Sequence, residues 1–129
     1  QDDFFQLELD LESELFFEFR KKHGWEPYKI NESSETELKE IKEFFNKNKE
    51  TFLFYFNNSD LVGSILYFGN YINCLSINRK YQRNGFGILL TKYVINKILD
   101  SGYKTVELNV FSDNTNAINF YKKIGFVVI

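Results

Sequence analysis

The chain has 129 residues, 43% hydrophobic and 19% aromatic, with fifteen phenylalanines, seven glycines and one proline; this suits one domain with a sizeable core and excludes the disordered and collagen-like classes. A net charge of −2 argues against nucleic acid or an anionic membrane as the main partner. No apolar run approaches the ~18 residues of a membrane span, and the single cysteine, Cys74, leaves no internal disulfide.

Charge is uneven along the chain. Residues 1–18 hold seven carboxylates (Asp2, Asp3, Glu8, Asp10, Glu12, Glu14 and Glu18) and no basic group, so the remainder is mildly basic. The start QDDFFQLELD lacks the basic flank of a signal peptide, and a soluble, cytoplasmic protein is expected. With no methionine even at position 1, the chain is expected to begin downstream of the native start.

FFQLEL alternates weakly and predicts a strand, whereas ESELFFEFRKKHG has helical spacing with a stop at Gly24. EPYKI reads as a short extended piece held by Pro27. SSETELKEIKEFFNKNK predicts a second helix, with a serine N-cap, early glutamates, and Leu38, Ile41, Phe44 and Phe45 at helical spacing. TFLFYF and LVGSILYF, joined by the polar turn NNSD, and then INCLSI predict an antiparallel meander.

A helix follows over Ile88–Ser101, capped by Gly102, and then a strand, KTVELNVF. Strand, helix and strand in that order make a right-handed parallel crossover. DNTNAINFYKKIG predicts a last helix from near Asp113 or Asn114 to Gly125, and FVVI the start of a last strand. The expected fold is one α/β domain over residues 1–129. Its mixed sheet runs as an antiparallel meander and then a parallel strand-helix-strand crossover, with helices on both faces.

The segment YQRNGFG, Tyr81 to Gly87, lies between a predicted strand and a predicted helix. Gly85 and Gly87 let main-chain N–H groups converge, and such a nest at a helix start favours an anion such as phosphate or pyrophosphate. Arg79, Lys80 and Arg83 add positive charge nearby. A tight turn alone would also explain two glycines. The dinucleotide fingerprint fails at Leu90, and the ATP-binding P-loop fails at Ile88 and Leu89.

Gln82-x-x-Gly85-x-Gly87 after a strand ending LSI resembles the pyrophosphate-binding motif of the GNAT acetyltransferase superfamily. NTNAINFYKKIGF is similar to that family's next motif, with Asn114, Ala117, Tyr121 and Gly125-Phe126 in order. The resemblance covers roughly Leu61 to Phe126. It implies acetyl-CoA as co-substrate, with the pantetheine arm against the main chain of Leu75, Ser76 and Ile77, where one N–H polarises the thioester carbonyl. It further implies that Gln82, Arg83, Asn84, Gly85, Phe86, Gly87 and Ile88 wrap the pyrophosphate, and that Asn114 binds the cofactor arm. Tyr121 would protonate the departing thiolate; the alternative is a ring that only packs against the sheet.

Many relatives carry a glutamate base in the strand where this chain has Tyr71 and Asn73. Glu107 in VELNV is the substitute candidate, against a solvent-facing reading, and an acceptor that arrives neutral needs no strong base. Cys74 sits in an apolar strand with no basic sequence neighbour, so packing is preferred to nucleophilic chemistry. His23 is expected to be exposed near a helix end, and one histidine without a cysteine cluster supports no metal.

The reading is an N-acetyltransferase that moves acetyl from acetyl-CoA directly to a primary amine on a small molecule or peptide. The acidic first eighteen residues suggest a cationic acceptor held by the first two helices. The alternatives are a non-catalytic acyl-CoA-binding regulatory module and a scaffold for protein association. Relatives continue past the position of Ile129 through another strand, so truncation or pairing in a homodimer is entertained.

Overall fold

The computed structural model describes the backbone of residues 2–129 and the side chains from Phe5 onward. Position 1 and the Asp2 and Asp3 carboxylates, which entered the sequence reading, lie outside what is described. The first element is a helix, α1 (Asp2–Lys22), so FFQLEL is helical and not a strand. Phe5, Glu8, Leu9 and Glu12 stand at i, i+3, i+4 and i+7 and line one side of the helix together. Two glutamates on that stripe dilute the apolar pattern until it mimics alternation.

Gly24 ends α1 at φ +68°, and the Trp25 N–H donates back to the Arg20 carbonyl at 2.9 Å, a left-handed glycine stop. EPYKI is not an extended run. The Glu26–Pro27 peptide is cis, the segment bends, and a short 3₁₀ turn covers Ile30–Glu32. Arg20 Nε holds the bend by donating to the Pro27 carbonyl at 2.9 Å. Helix α2 (Glu35–Lys47) starts as expected: Ser34 Oγ accepts from the Glu37 N–H, and Glu37 Oε1 accepts from the Ser34 N–H.

Strands β1 (Phe52–Asn57), β2 (Asp60–Phe68) and β3 (Tyr71–Ile77) form the antiparallel meander. Helix α3 (Phe86–Asp100) begins two residues before Ile88. Strand β4 (Glu107–Leu108) runs parallel to β3, completing the order β1-β2-β3-β4, and helix α4 (Thr115–Ile124) follows. The expected eight-residue strand shrinks to two residues because β4 leaves β3 after Leu108. FVVI forms no strand: Val127, Val128 and Ile129 are exposed and have no ladder partner among the described residues.

The sheet separates two layers. Ile65, Ile72, Leu90, Val94 and Ile98 make the core on the α3 side. On the other side Glu8 and Leu9 of α1 are buried, with Glu8 bonded to Ser64 of β2. Strand β2 is buried on both faces from Leu61 to Leu66.

Candidate functional site

Strand β3 carries a bulge. Its register with β2 jumps from Leu66↔Cys74 to Tyr67↔Ile72, leaving Asn73 unpaired. Beyond the bulge the Asn78 N–H donates to Val62 O at 2.8 Å, so by alternation Ser76 and Cys74 face β2. Leu75 and Ile77 therefore direct their main-chain groups to the opposite edge, where pairing with β4 has stopped at Ile72↔Leu108. Gln82 Nε2 takes the Ile77 carbonyl at 2.9 Å. The Leu75 N–H and carbonyl are left facing the open wedge.

The glycine loop lies at the head of this wedge. Arg83 at φ +66° and Gly85 at φ +84° turn the chain into α3, whose N-cap is Gly85, with no side-chain cap. The first helical bond to the loop runs from the Leu89 N–H to the Gly85 carbonyl. Among the described residues, no main-chain carbonyl accepts from any amide of Arg83, Asn84, Gly85, Phe86, Gly87 or Ile88. Asn84 Nδ2 braces the loop through the Tyr81 and Gln82 carbonyls, and the Gln82 N–H is bonded to Arg79 O. The Phe86 ring anchors it by packing on Tyr55 and Tyr81.

The two glycines serve different ends. A Cβ on Gly85 would meet nothing within 4 Å, so its positive φ is what calls for glycine; a Cβ on Gly87 would meet the Phe120 ring at 3.0 Å. Of the three basic residues near the loop, Lys80 pairs with Asp60 at 2.8 Å and Arg79 reaches Glu14 at 4.0 Å. Lys80 and Tyr81 both bond the Asp60 carboxylate and hold its pKa below the usual range. Arg83 is exposed and makes no ion pair among the described residues.

Asn114 caps α4: its Oδ1 accepts from the Ala117 N–H at 3.2 Å, which leaves its Nδ2 to donate. Two turns beyond the cap, Tyr121 is half-buried with its ring edge-on to Phe120 and Phe126. Burial, with the neighbouring Cys74 in second place, pushes its phenol up to about 12. Tyr121 therefore holds its proton throughout the neutral range. Glu107 lies elsewhere: it is exposed, is placed opposite Tyr71, and takes a 3.4 Å contact from Asn70 Nδ2. Tyr71 and Leu75 are four positions apart along β3, about 13 Å.

A cavity of about 210 Å³ lies between α1, α2 and the sheet. Phe5, Leu9, Phe44, Phe45, Phe52 and Leu66 wall it; Glu8, Glu12, Asn73 and Cys74 supply its polar groups. Glu8 is only 4% exposed: Ser64 Oγ donates to its Oε1 at 2.6 Å, while its buried Oε2 has no partner. Burial pushes this carboxyl up to about 8, opposed by the Ser64 bond and assisted by Glu12, whose own pKa burial also raises. Burial, then Glu12 and Glu8, pushes the Cys74 thiol up to about 12, so it stays a thiol and packs, as its setting implied.

The sequence reading missed Glu8 and Glu12. Carboxylates at i and i+4 beside Phe5 and Leu9 were the available signal. His23 is a correction: it is half-buried among Phe19, Trp25 and Phe111, with Nε2 3.4 Å from Asp113, because Gly24 folds Trp25 back over the helix end. Among the described residues, no cluster of histidine, cysteine or acidic residues could hold a metal, and no helix is long and apolar enough to cross a membrane.

A sheet that parts between two parallel strands, beside a helix whose first amides lack main-chain acceptors, defines an α/β domain with an open cleft walled by main chain. The chain belongs to the acetyltransferase (GNAT) family, whose model matches residues 9–126. It is 34% identical over 79 residues to an L-ornithine N5-acetyltransferase of Arabidopsis thaliana, a match covering 54% of this chain and 35% of that relative. The structure resembles that of Ard1 from Thermoplasma volcanium at a TM-score of 0.61 and 28% identity, over 71% of this chain and 66% of that one. It also resembles the ribosomal-protein-S18-alanine N-acetyltransferase of Escherichia coli, with TM-score 0.56 and 23% identity over 68% of this chain and 61% of that one. The chain thus spans about a third of the curated relative's length and under two thirds of this last enzyme's.

Proposed function

We propose that the domain transfers an acetyl group from acetyl-CoA directly to a primary amine in a ternary complex. The observation that carries this reading is the row of unsatisfied amides from Arg83 to Ile88 at the start of α3, beside an open β3 edge. Those amides and the Arg83 guanidinium suit a diphosphate, and the helix dipole adds about 0.3–1 kcal/mol for an anion. Leu75, Ser76 and Ile77 would flank the pantetheine arm. The Leu75 N–H, turned to the open edge, is the donor suited to a thioester oxygen.

Asn114 Nδ2 would donate to the cofactor arm, and Tyr121 would give its proton to the thiolate as the carbon–sulfur bond breaks. The ornithine N5-acetyltransferase relative supports a primary amine as acceptor. Tyr71 and Asn73, standing in the strand where the family resemblance implies a glutamate base, favour the second reading, an acyl-CoA-binding module without turnover.

Calorimetry with CoA and thiol release over an amine panel test the two. Binding with amine-dependent thiol release is expected, and Gly85→Asp, which sets a carboxylate against phosphate, should abolish binding. Tight binding without thiol release selects the module, and no binding overturns both.

A further inference from the structure

Resting on that transferase reading, we propose that Glu8 receives the acceptor: its Oε2 takes an N–H, and then the proton, of a primary ammonium whose apolar body fills the cavity between α1, α2 and the sheet. The buried Oε2 is the starting point. Ser64 satisfies Oε1, but whether Glu8 is ionised or protonated, its second oxygen is short of a partner, and buried polar groups are rarely left so. A ligand donor supplies what the fold omits.

The cavity selects the ligand's chemistry. At about 210 Å³ it exceeds the ~150 Å³ space that accepts benzene, so it takes a small aryl or alkyl group. Its walls are aromatic and aliphatic, its charged lining is Glu8 and Glu12, and it has no lysine or arginine among its described lining residues. A cationic head on an apolar body complements both features.

Position ties the cavity to the transfer chemistry. Cys74 lines the cavity and lies within electrostatic reach of Tyr121, and the next residue is Leu75 with its N–H at the wedge. The groups facing Glu8 are Glu12 on its own helix, Ser64 of β2 and Cys74 of β3; α2 brings only Ile41, Phe44 and Phe45 to the cavity. A carboxyl titrating at about 8 suits proton transfer near neutrality.

The step balances. The ammonium gives one proton to ionised Glu8, and the neutral nitrogen attacks the thioester carbon. The C–N bond forms and the C–S bond breaks as the nitrogen sheds a second proton. The thiolate takes a proton from Tyr121, which recovers one from the nitrogen, and Glu8 releases its own to solvent.

The test titrates phenethylamine and its uncharged analogue 2-phenylethanol into wild type and Glu8→Gln at pH 8.5, with and without CoA. The wild type should prefer the amine by about tenfold or more, and Glu8→Gln should bind both alike at unchanged CoA affinity. In turnover, kcat/KM of the wild type should rise through about pH 8, and Glu8→Gln should lose that rise and about 10²–10³-fold in rate. Equal affinity for amine and alcohol overturns the proposal without recourse to any variant, as does an unchanged pH profile in Glu8→Gln. Amine preference in a protein that releases no thiol leaves Glu8's docking role standing and removes the transferase reading, so the two failures are distinguishable.

Discussion

Phe120 of α4 stands where a side chain on Gly87 would begin: a Cβ there meets the ring at 3.0 Å. The close approach of α3 and α4 holds the Tyr121-bearing helix against the wedge. Gly87→Ala should cost about 1 kcal/mol, since the gain in helix propensity is outweighed by the displaced ring. In a Phe120→Leu background the same change should be neutral or stabilising. Urea denaturation of the four proteins measures the coupling, and additivity would refute the contact's role.

Tyr121→Phe should lower turnover about 10²-fold while leaving CoA affinity intact. Because burial holds the phenol at about 12, Tyr121 should contribute no limb to the wild-type pH profile below about pH 10. Single-turnover thiol release reads the loss directly, and wild-type rates would assign the ring to packing alone.

Glu8 makes stability depend on pH. Its folded pKa of about 8 lies above the ordinary 4.5, so the folded protein holds the proton more tightly than the unfolded chain. The stabilising contribution is complete below about pH 4.5 and is lost as pH rises through 8, by at most roughly 1.4 kcal/mol per pH unit. Unfolding free energies at pH 5, 6.5 and 8 should fall along that series, and Glu8→Gln should flatten it.

Glu107→Gln should leave both turnover and CoA affinity unchanged. The carboxylate is exposed opposite Tyr71, at the end of β3 away from Leu75. A drop in kcat of tenfold or more would restore it as a base.

Much of this architecture was legible in the sequence because local chemistry and global fold agree. Ser34 and Glu37 announce α2, Asn57 to Asp60 make the hairpin, and Gly24, Gly102 and Gly125 close helices at positive φ. The misreadings have physical causes. The start of α1 puts Glu8 and Glu12 on its inward side, which erased the apolar period. KTVELNVF has strand chemistry along its length, but only Glu107 and Leu108 find a partner, and pairing depends on where β3 goes.

The glycine loop was recognisable by type, yet the two glycines have separate reasons that only the fold supplies: the positive φ of Gly85, and for Gly87 the Phe120 ring, 33 positions further on. Arg79 and Lys80 looked like loop charges and are engaged by Glu14 and Asp60. The orphan oxygen of Glu8 has no sequence signature at all.

The wedge between β3 and β4 is walled by peptide groups, which every residue except proline supplies alike. Mutational drift can therefore rewrite the side chains of β3 with little effect on the main-chain donors and acceptors that the cleft presents, which under the proposed function are what a nucleotide-bearing thioester would meet. Under the same reading, discrimination among acceptors would evolve in the side chains of the α1–α2–sheet cavity, and grafting the two helices, which supply most of that lining, between relatives is the shortest engineering route to a new amine.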